Sequence, residues 1–154
     1  IIMKTMLFVL ILCVSAQAQF IDNQQQLAQQ LYDKLVEKVA DYQDTLRKFN
    51  IRSDSICSTD IMYAIPGKYN EWPMELKGGE HVFFVQTMLA SVQVEIWQNN
   101  TLLYLTKVSG YSAIKVRFSK SGEYRYIVKS TENIGLYKTN IIYILKNGEK
   151  YEWE

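Results

Sequence analysis

Cysteine, histidine, proline and glycine are all scarce in this chain, and each scarcity excludes something. The 154 residues hold two cysteines, one histidine, two prolines and seven glycines. Cys13 lies in an apolar run near the start, so the body of the chain has Cys57 alone. An intramolecular disulfide is therefore excluded, and packing must hold the core. Cys57 reads as a buried small hydrophobe or as one end of an intermolecular bridge. With His81 as the lone imidazole, the usual zinc ligand sets cannot be assembled. A serine triad would have to centre on His81 with no Gly-x-Ser-x-Gly elbow to support it. Asp54 and Asp60 lie in a hydroxyl-rich stretch, but the dense acidic loop that calcium needs is missing. Gly78-Gly79, Ser109-Gly110 and Ser121-Gly122 lie between strand patterns and read as turns, without the following helix that would hold a phosphate. No metal and no cofactor are expected.

An excess of either charge is also lacking. Beyond Lys4 the 16 acidic residues are matched by the remaining basic ones, with Lys34, Lys38, Arg47, Lys48 and Arg52 interleaved among Glu37, Asp41, Asp44 and Asp54. Binding along many phosphates needs clustered cations, so nucleic acid is not an expected partner.

What is present begins with an address. Lys4 precedes the apolar run Met6 to Val14, and Ala16-Gln17-Ala18 follows, the layout of a secretory signal peptide over residues 1–18. The run is about nine residues where a bilayer-spanning helix takes roughly 20, so no integral span is expected after cleavage. Lipidation at Cys13 is the lesser alternative, because Leu12 stands where lipidation motifs carry a small residue. Ile1 and Ile2 precede Met3, the natural start. The expected location is secreted or periplasmic, and what remains, about 135 residues, suits one domain.

That domain changes rhythm near residue 50. Apolar residues recur at Leu27, Leu31, Leu35, Val39, Tyr42, Leu46 and Phe49 with no Gly or Pro among them, which predicts one amphipathic helix within 19–50. Asp22 with Gln25 reads as its cap. At about 40 Å it is longer than a small sandwich face, so it either projects toward a partner or breaks near Asp41 to Thr45. The polar stretch Arg52 to Asp60 reads as a connection. Beyond it the period is two: Val92, Val94 and Ile96 alternate with Gln93 and Glu95, and Ala113 to Phe118 and Tyr124 to Lys129 do likewise. Strands with one wet face belong to antiparallel sheets. Turns are expected at Gly78-Gly79, Gln98-Asn99-Asn100, Lys120-Ser121-Gly122 and Asn147-Gly148, and Pro73 marks an edge strand. The expectation for 51–154 is an antiparallel β-sandwich of seven or eight strands, with the helix across an end or an open face.

The order Met74 to Phe84 with its Gly78-Gly79 turn, a strand ending in Trp97, and then Ser121-Gly122-Glu123-Tyr124 resembles exported jelly-roll domains of the bacterial pre-peptidase and GOLD-like type. The resemblance covers residues 74–129 and rests on turns. It implies an eight-stranded sandwich used for binding or as an accessory, with no catalytic set to carry over, and the long helix departs from it.

Aromatic residues supply the candidate site. Three tryptophans and eleven tyrosines exceed a minimal core. Tyr63, Tyr69 and Trp72 cluster in sequence around Pro66-Gly67, and Trp97 and Tyr104 flank the Asn99-Asn100 turn. Amphipathic rings on a rim suit a protein or a glycan, and rings in strands equally fill a core. The alternating Glu75, Glu80, Glu95 and Glu123 predict wet sheet faces rather than a paired-acid glycosidase. The expected function is therefore an exported, non-catalytic binding or accessory domain for a protein partner. Self-association through the helix would follow if its stripe were bare, and an unprotected sheet edge could take an extended peptide. A carbohydrate-binding module and a small secreted hydrolase are the alternatives.

Overall fold

The computed structural model describes residues 23–146. The leader expected at 1–18, the Asp22 cap, the Asn147-Gly148 turn and the Tyr151-Glu152-Trp153 end lie outside the described residues.

Helix α1 (Gln24–Lys48) runs without a break, so the interruption considered near Asp41 to Thr45 does not occur. It ends where Asn50 takes φ 60°, a left-handed conformation that asparagine tolerates, and the Asn50 N–H donates to the Arg47 carbonyl at 2.9 Å. Leu31, Leu35 and Val39 are buried, and Leu35 and Val39 pack on Val82, Phe84 and Ile142, with Tyr42, Leu46 and Ile144 beside them. Tyr42 meets the Phe84 ring edge-on at 5.3 Å. The helix therefore lies on its own sheet, and the bare stripe that would have implied self-association is covered along its centre. Its flank, with Tyr32, Val36 and Ala40, stays exposed, as does Phe49 at the end of the stripe. No described helix is long and apolar enough to cross a membrane.

Seven strands follow among the described residues: β1 (Arg52–Ser58), β2 (Met62–Ala64), β3 (Tyr69–Leu76), β4 (Gly79–Gln98), β5 (Thr101–Phe118), β6 (Gly122–Glu132) and β7 (Gly135–Leu145). All pairings are antiparallel. The strands make one sheet curled as a half barrel, in the order β1-β7-β4-β6-β3, with β2 also on β7 and β5 on β4. This differs from an arrangement of two separate sheets. The stretch Arg52 to Asp60 is likewise not a plain connection, because β1 pairs with the end of β7 from Arg52 opposite Leu145 to Ser58 opposite Asn140. Its polar sequence suits an edge strand whose outer side is wet.

The single sheet arises because β4 and β5 are long and bend together. β6 and β7 occupy successive halves of one border of β4: β7 faces His81 to Met88, and β6 faces Ser91 to Trp97. Between them Leu89 has φ 63°, Asn133 φ 60° and Gly110 φ 95°, so all three layers turn at one level. Thr87 to Ala90 bulge out opposite Gly110, and the corner is stitched by the Gly110 N–H donating to Thr87 Oγ1 at 2.7 Å and Gln86 Nε2 donating to the Gly110 carbonyl at 3.1 Å. Gly135 is required by closeness: a Cβ there would sit 2.1 Å from the Met88 carbonyl oxygen. The Ser109-Gly110 pair, expected as a turn, is thus a bend inside β5.

The bulge shifts the side-chain parity of β4. His81, Phe83 and Val85 face the core before the corner, and Val92, Val94 and Ile96 face it afterwards. The two halves then close on each other. Phe83 packs on Tyr126 at 5.3 Å, the Tyr126 and Thr139 hydroxyls bond at 2.8 Å, and Asn70 Nδ2 donates to the Tyr137 hydroxyl at 2.6 Å.

Candidate functional site

Three strand borders are free of described partners: those of β1 with β2, of β3, and of β5. An unpaired border invites pairing with another chain, and proteins guard such borders with charge or proline. β1 carries Arg52 and Asp54, while β3 carries Pro73 between Glu71 and Glu75. In β5 the far half carries Lys115 and Arg117. In its near half the exposed Lys107 is the one charge, and the stretch before it, Thr101 to Thr106, has neither charge nor proline; Leu102, Leu103, Tyr104 and Leu105 there are 39%, 37%, 37% and 57% exposed. Four consecutive exposed apolar residues are a fault in a surface unless they have a use.

The register places these side chains. Leu102 lies opposite Trp97 and Leu105 opposite Glu95, whereas Tyr104 lies opposite Ile96 and Thr106 opposite Val94. Leu103 is an extra residue at the shift between Ile96 and Trp97. Because opposed residues share a face, Leu102 and Leu105 stand on the outer face, and Tyr104 on the rim of the core face.

The outer face behind this border is held by a buried carboxylate. Glu95, expected to be wet, is 3% exposed. It accepts hydrogen bonds from Lys129 Nζ at 2.8 Å, Trp97 Nε1 at 2.8 Å and Gln93 Nε2 at 3.0 Å. Burial would raise its pKa, but the bonds from Lys129, Trp97 and Gln93 and the charge of Lys129 outweigh burial and hold the carboxyl below its usual value. The Arg125 guanidinium stacks over Trp97 at 5.6 Å while donating to Glu71 at 3.2 Å and to the Asn99 carbonyl at 3.0 Å. The hairpin tip is thereby fixed to β6 and β3. Of the other strand acids, Glu80 pairs with Lys115 at 3.5 Å, and Glu75 and Glu123 are opposed and exposed.

The five aromatic residues singled out from the sequence do not form one patch. Trp72 belongs to the core side, 5.6 Å from Tyr126 and 6.5 Å from Tyr137. Tyr69, opposite Lys129, stands on the other face of β3 and is 62% exposed. Tyr63 lies on β2, exposed, with Gln24 Nε2 donating to its hydroxyl. Trp97 and Tyr104 both lie near the β4–β5 hairpin tip but on opposite faces of the sheet, so the structure does not bring them together. Sequence reasoning passed over Leu102, Leu103 and Leu105, although the run Leu-Leu-Tyr-Leu fails the alternation kept by neighbouring strands, and that failure was the available signal.

Two polar clusters lie elsewhere. Lys138 Nζ donates to Ser58 Oγ at 3.0 Å and to the Thr59 carbonyl, and stands over the Tyr32 ring at 5.9 Å. A serine bonded to a buried lysine has the form of a serine–lysine nucleophile pair. Burial holds the ammonium pKa below its usual value, with Asp60 and Cys57 acting in the opposite sense. The two bonds join β7 to the end of β1. Burial also raises the Cys57 thiol above its usual value, Lys138 acting against it, which disfavours the reactive thiolate. His81 is fully buried between Phe118 and Tyr143, at 5.1 and 4.9 Å, with Nδ1–H donating to the Gly79 carbonyl at 3.3 Å. Burial pushes its pKa down to about 4, with the Gly79 bond working in the opposite sense. Among the described residues no group of three or more His, Cys, Asp or Glu side chains is placed to hold a metal ion.

No protein-family model matches the chain, and a search of curated proteins finds no match.

Proposed function

We propose that this is an exported, non-catalytic binding domain that recognises protein through the near half of β5. The observation that carries the proposal is the contrast between borders: β1, β3 and the far half of β5 are guarded by charge or proline, and Thr101 to Thr106 is left open and apolar. Backbone N–H and C=O groups on such a border supply affinity for an extended segment, and Leu102, Leu105 and Tyr104 supply side-chain contact on either face. The leader pattern at 1–18 supports export to a secreted or periplasmic location. The turns shared with pre-peptidase and GOLD-like jelly rolls over 74–129 support an accessory role and a sandwich-like relationship between the two closed halves.

A photo-crosslinking residue in place of Leu105, introduced in cells that export the protein, tests this reading. Crosslinks to protein are expected from that position and not from Val36, which is comparably exposed on the helix. Absence of protein adducts at Leu105 would overturn it.

A further inference from the structure

We propose that the partner of the β5 border is a second copy of this chain, added antiparallel about a two-fold axis at the Leu103 bulge. The inference rests on reading the same border as a protein-contact surface, and adds the occupant. The segment Thr101-Leu102-Leu103-Tyr104-Leu105-Thr106 reads nearly the same in both directions. Two antiparallel copies centred between Leu103 and Tyr104 set Thr101 against Thr106 and Leu102 against Leu105.

In a regular strand this register is forbidden. Side chains alternate between faces, so a centre lying between two residues would oppose a side chain on one face to a side chain on the other. The extra residue at Leu103 removes the conflict. With Trp97 opposite Leu102 and Ile96 opposite Tyr104, the faces run core side for Thr101, outer for Leu102, core side for Tyr104, outer for Leu105 and core side for Thr106. The Thr pair then lies wholly on one face and the Leu pair wholly on the other. A bulge ordinarily spoils a border for pairing; this one makes the border complementary to itself.

The flanks agree. The next pair out is Asn100 against Lys107, so no like charges are opposed within the paired stretch. The far half of β5, with Lys115 and Arg117 facing outward, diverges from the axis and stays guarded. A two-fold interface uses the same patch on both subunits, as closed assembly of a single chain requires.

Sedimentation of the purified chain should show a concentration-dependent dimer. Leu105→Lys, which sets an ammonium against Leu102 of the other copy, should weaken it at least about thirtyfold while leaving the circular-dichroism spectrum unchanged, and the urea midpoint unchanged at concentrations where the wild-type chain is monomeric. The register has its own test: a Thr101→Cys chain mixed with a Thr106→Cys chain should form disulfide-linked heterodimers, and neither variant alone should cross-link through the new cysteine. A wild-type chain that stays monomeric at every soluble concentration, a dimer indifferent to Leu105→Lys, or cross-linking by either single variant alone would overturn self-pairing. If self-pairing fails while crosslinks at Leu105 join the chain to a different protein, the border remains a protein-contact surface; if those crosslinks are absent too, both readings fail.

Discussion

From His81 through Thr87, β4 is buried on both faces, inward against Phe118, Tyr126 and Ile141 and outward beneath α1; from Ser91 to Gln98 the same strand is covered chiefly on one face. The two halves of one hairpin thus live in different solvents. The covered half is a near-continuous apolar run, His-Val-Phe-Phe-Val, with its border partner β5 guarded by Lys115 and Arg117. In the uncovered half, alternation is clean in β4, Glu95 is drawn under a lid of donors, and β5 exposes four apolar residues in a row. Where a helix covers a sheet, apolar residues on both faces are spent on the interior. Where no element covers it, an apolar run at the border is available to another chain, and the corner at Leu89, Gly110 and Asn133 is what divides the two regimes.

That division can be broken most severely at the corner itself. Gly135→Ala drives a methyl into the Met88 carbonyl and should destabilise both halves together by about 3 kcal/mol or more, read as a lower urea midpoint with one cooperative transition. Next in size, Leu35→Ala removes the centre of the helix contact and should cost about 3 kcal/mol, whereas Val36→Ala, one position round the helix, should change stability by less than about 0.5 kcal/mol. Equal effects would mean that α1 does not divide the halves.

Acid should act on the covered half through His81. Its pKa is about 4 in the folded chain against the ordinary 6.5, so between those values the unfolded chain binds a proton that the folded chain refuses. Stability from this source is complete above pH 6.5 and is lost as pH falls toward 4, by roughly 2 to 3 kcal/mol. His81→Phe should flatten that part of the pH profile in urea titrations; an unchanged slope would assign it to other groups. The smallest effect belongs to the uncovered half. Glu95→Gln keeps the shape but surrenders the charge-assisted bond to Lys129, for a loss of about 1 kcal/mol. Lys129→Met should add little once Glu95 has been changed, a coupling that a double-mutant cycle measures.

How much of this was legible in the residues depends on how local the cause was. The helix was readable because Leu31, Leu35 and Val39 repeat at the helical period, and the cores of β4 and β6 because Val92, Val94, Ile96, Tyr124, Tyr126 and Val128 alternate. Pro73 correctly marked a border strand, since its missing N–H bars it from a central one. β1 was misread because a polar border strand and a loop share a composition. Glu95 was misread because alternation reports which face a side chain is on, and not whether Lys129 and Trp97 will close over it. The aromatic group around Tyr69 and Trp72 separated for a simple reason: three positions apart on a strand means opposite faces.

The sequence by itself determined the long helix, the alternating cores of β4 and β6 and the turns at Gly78-Gly79, Asn99-Asn100 and Lys120-Ser121, each set by backbone preference and solvent contrast over a few neighbouring residues. Tertiary structure alone decided that β4 and β5 bend as a pair, that the helix covers only one side of that bend, and that an apolar border is left unpaired beyond it. Those outcomes follow from contacts between residues far apart in the chain, such as Gly135 with Met88 or Leu35 with Ile142, and no local pattern encodes which distant surface will arrive.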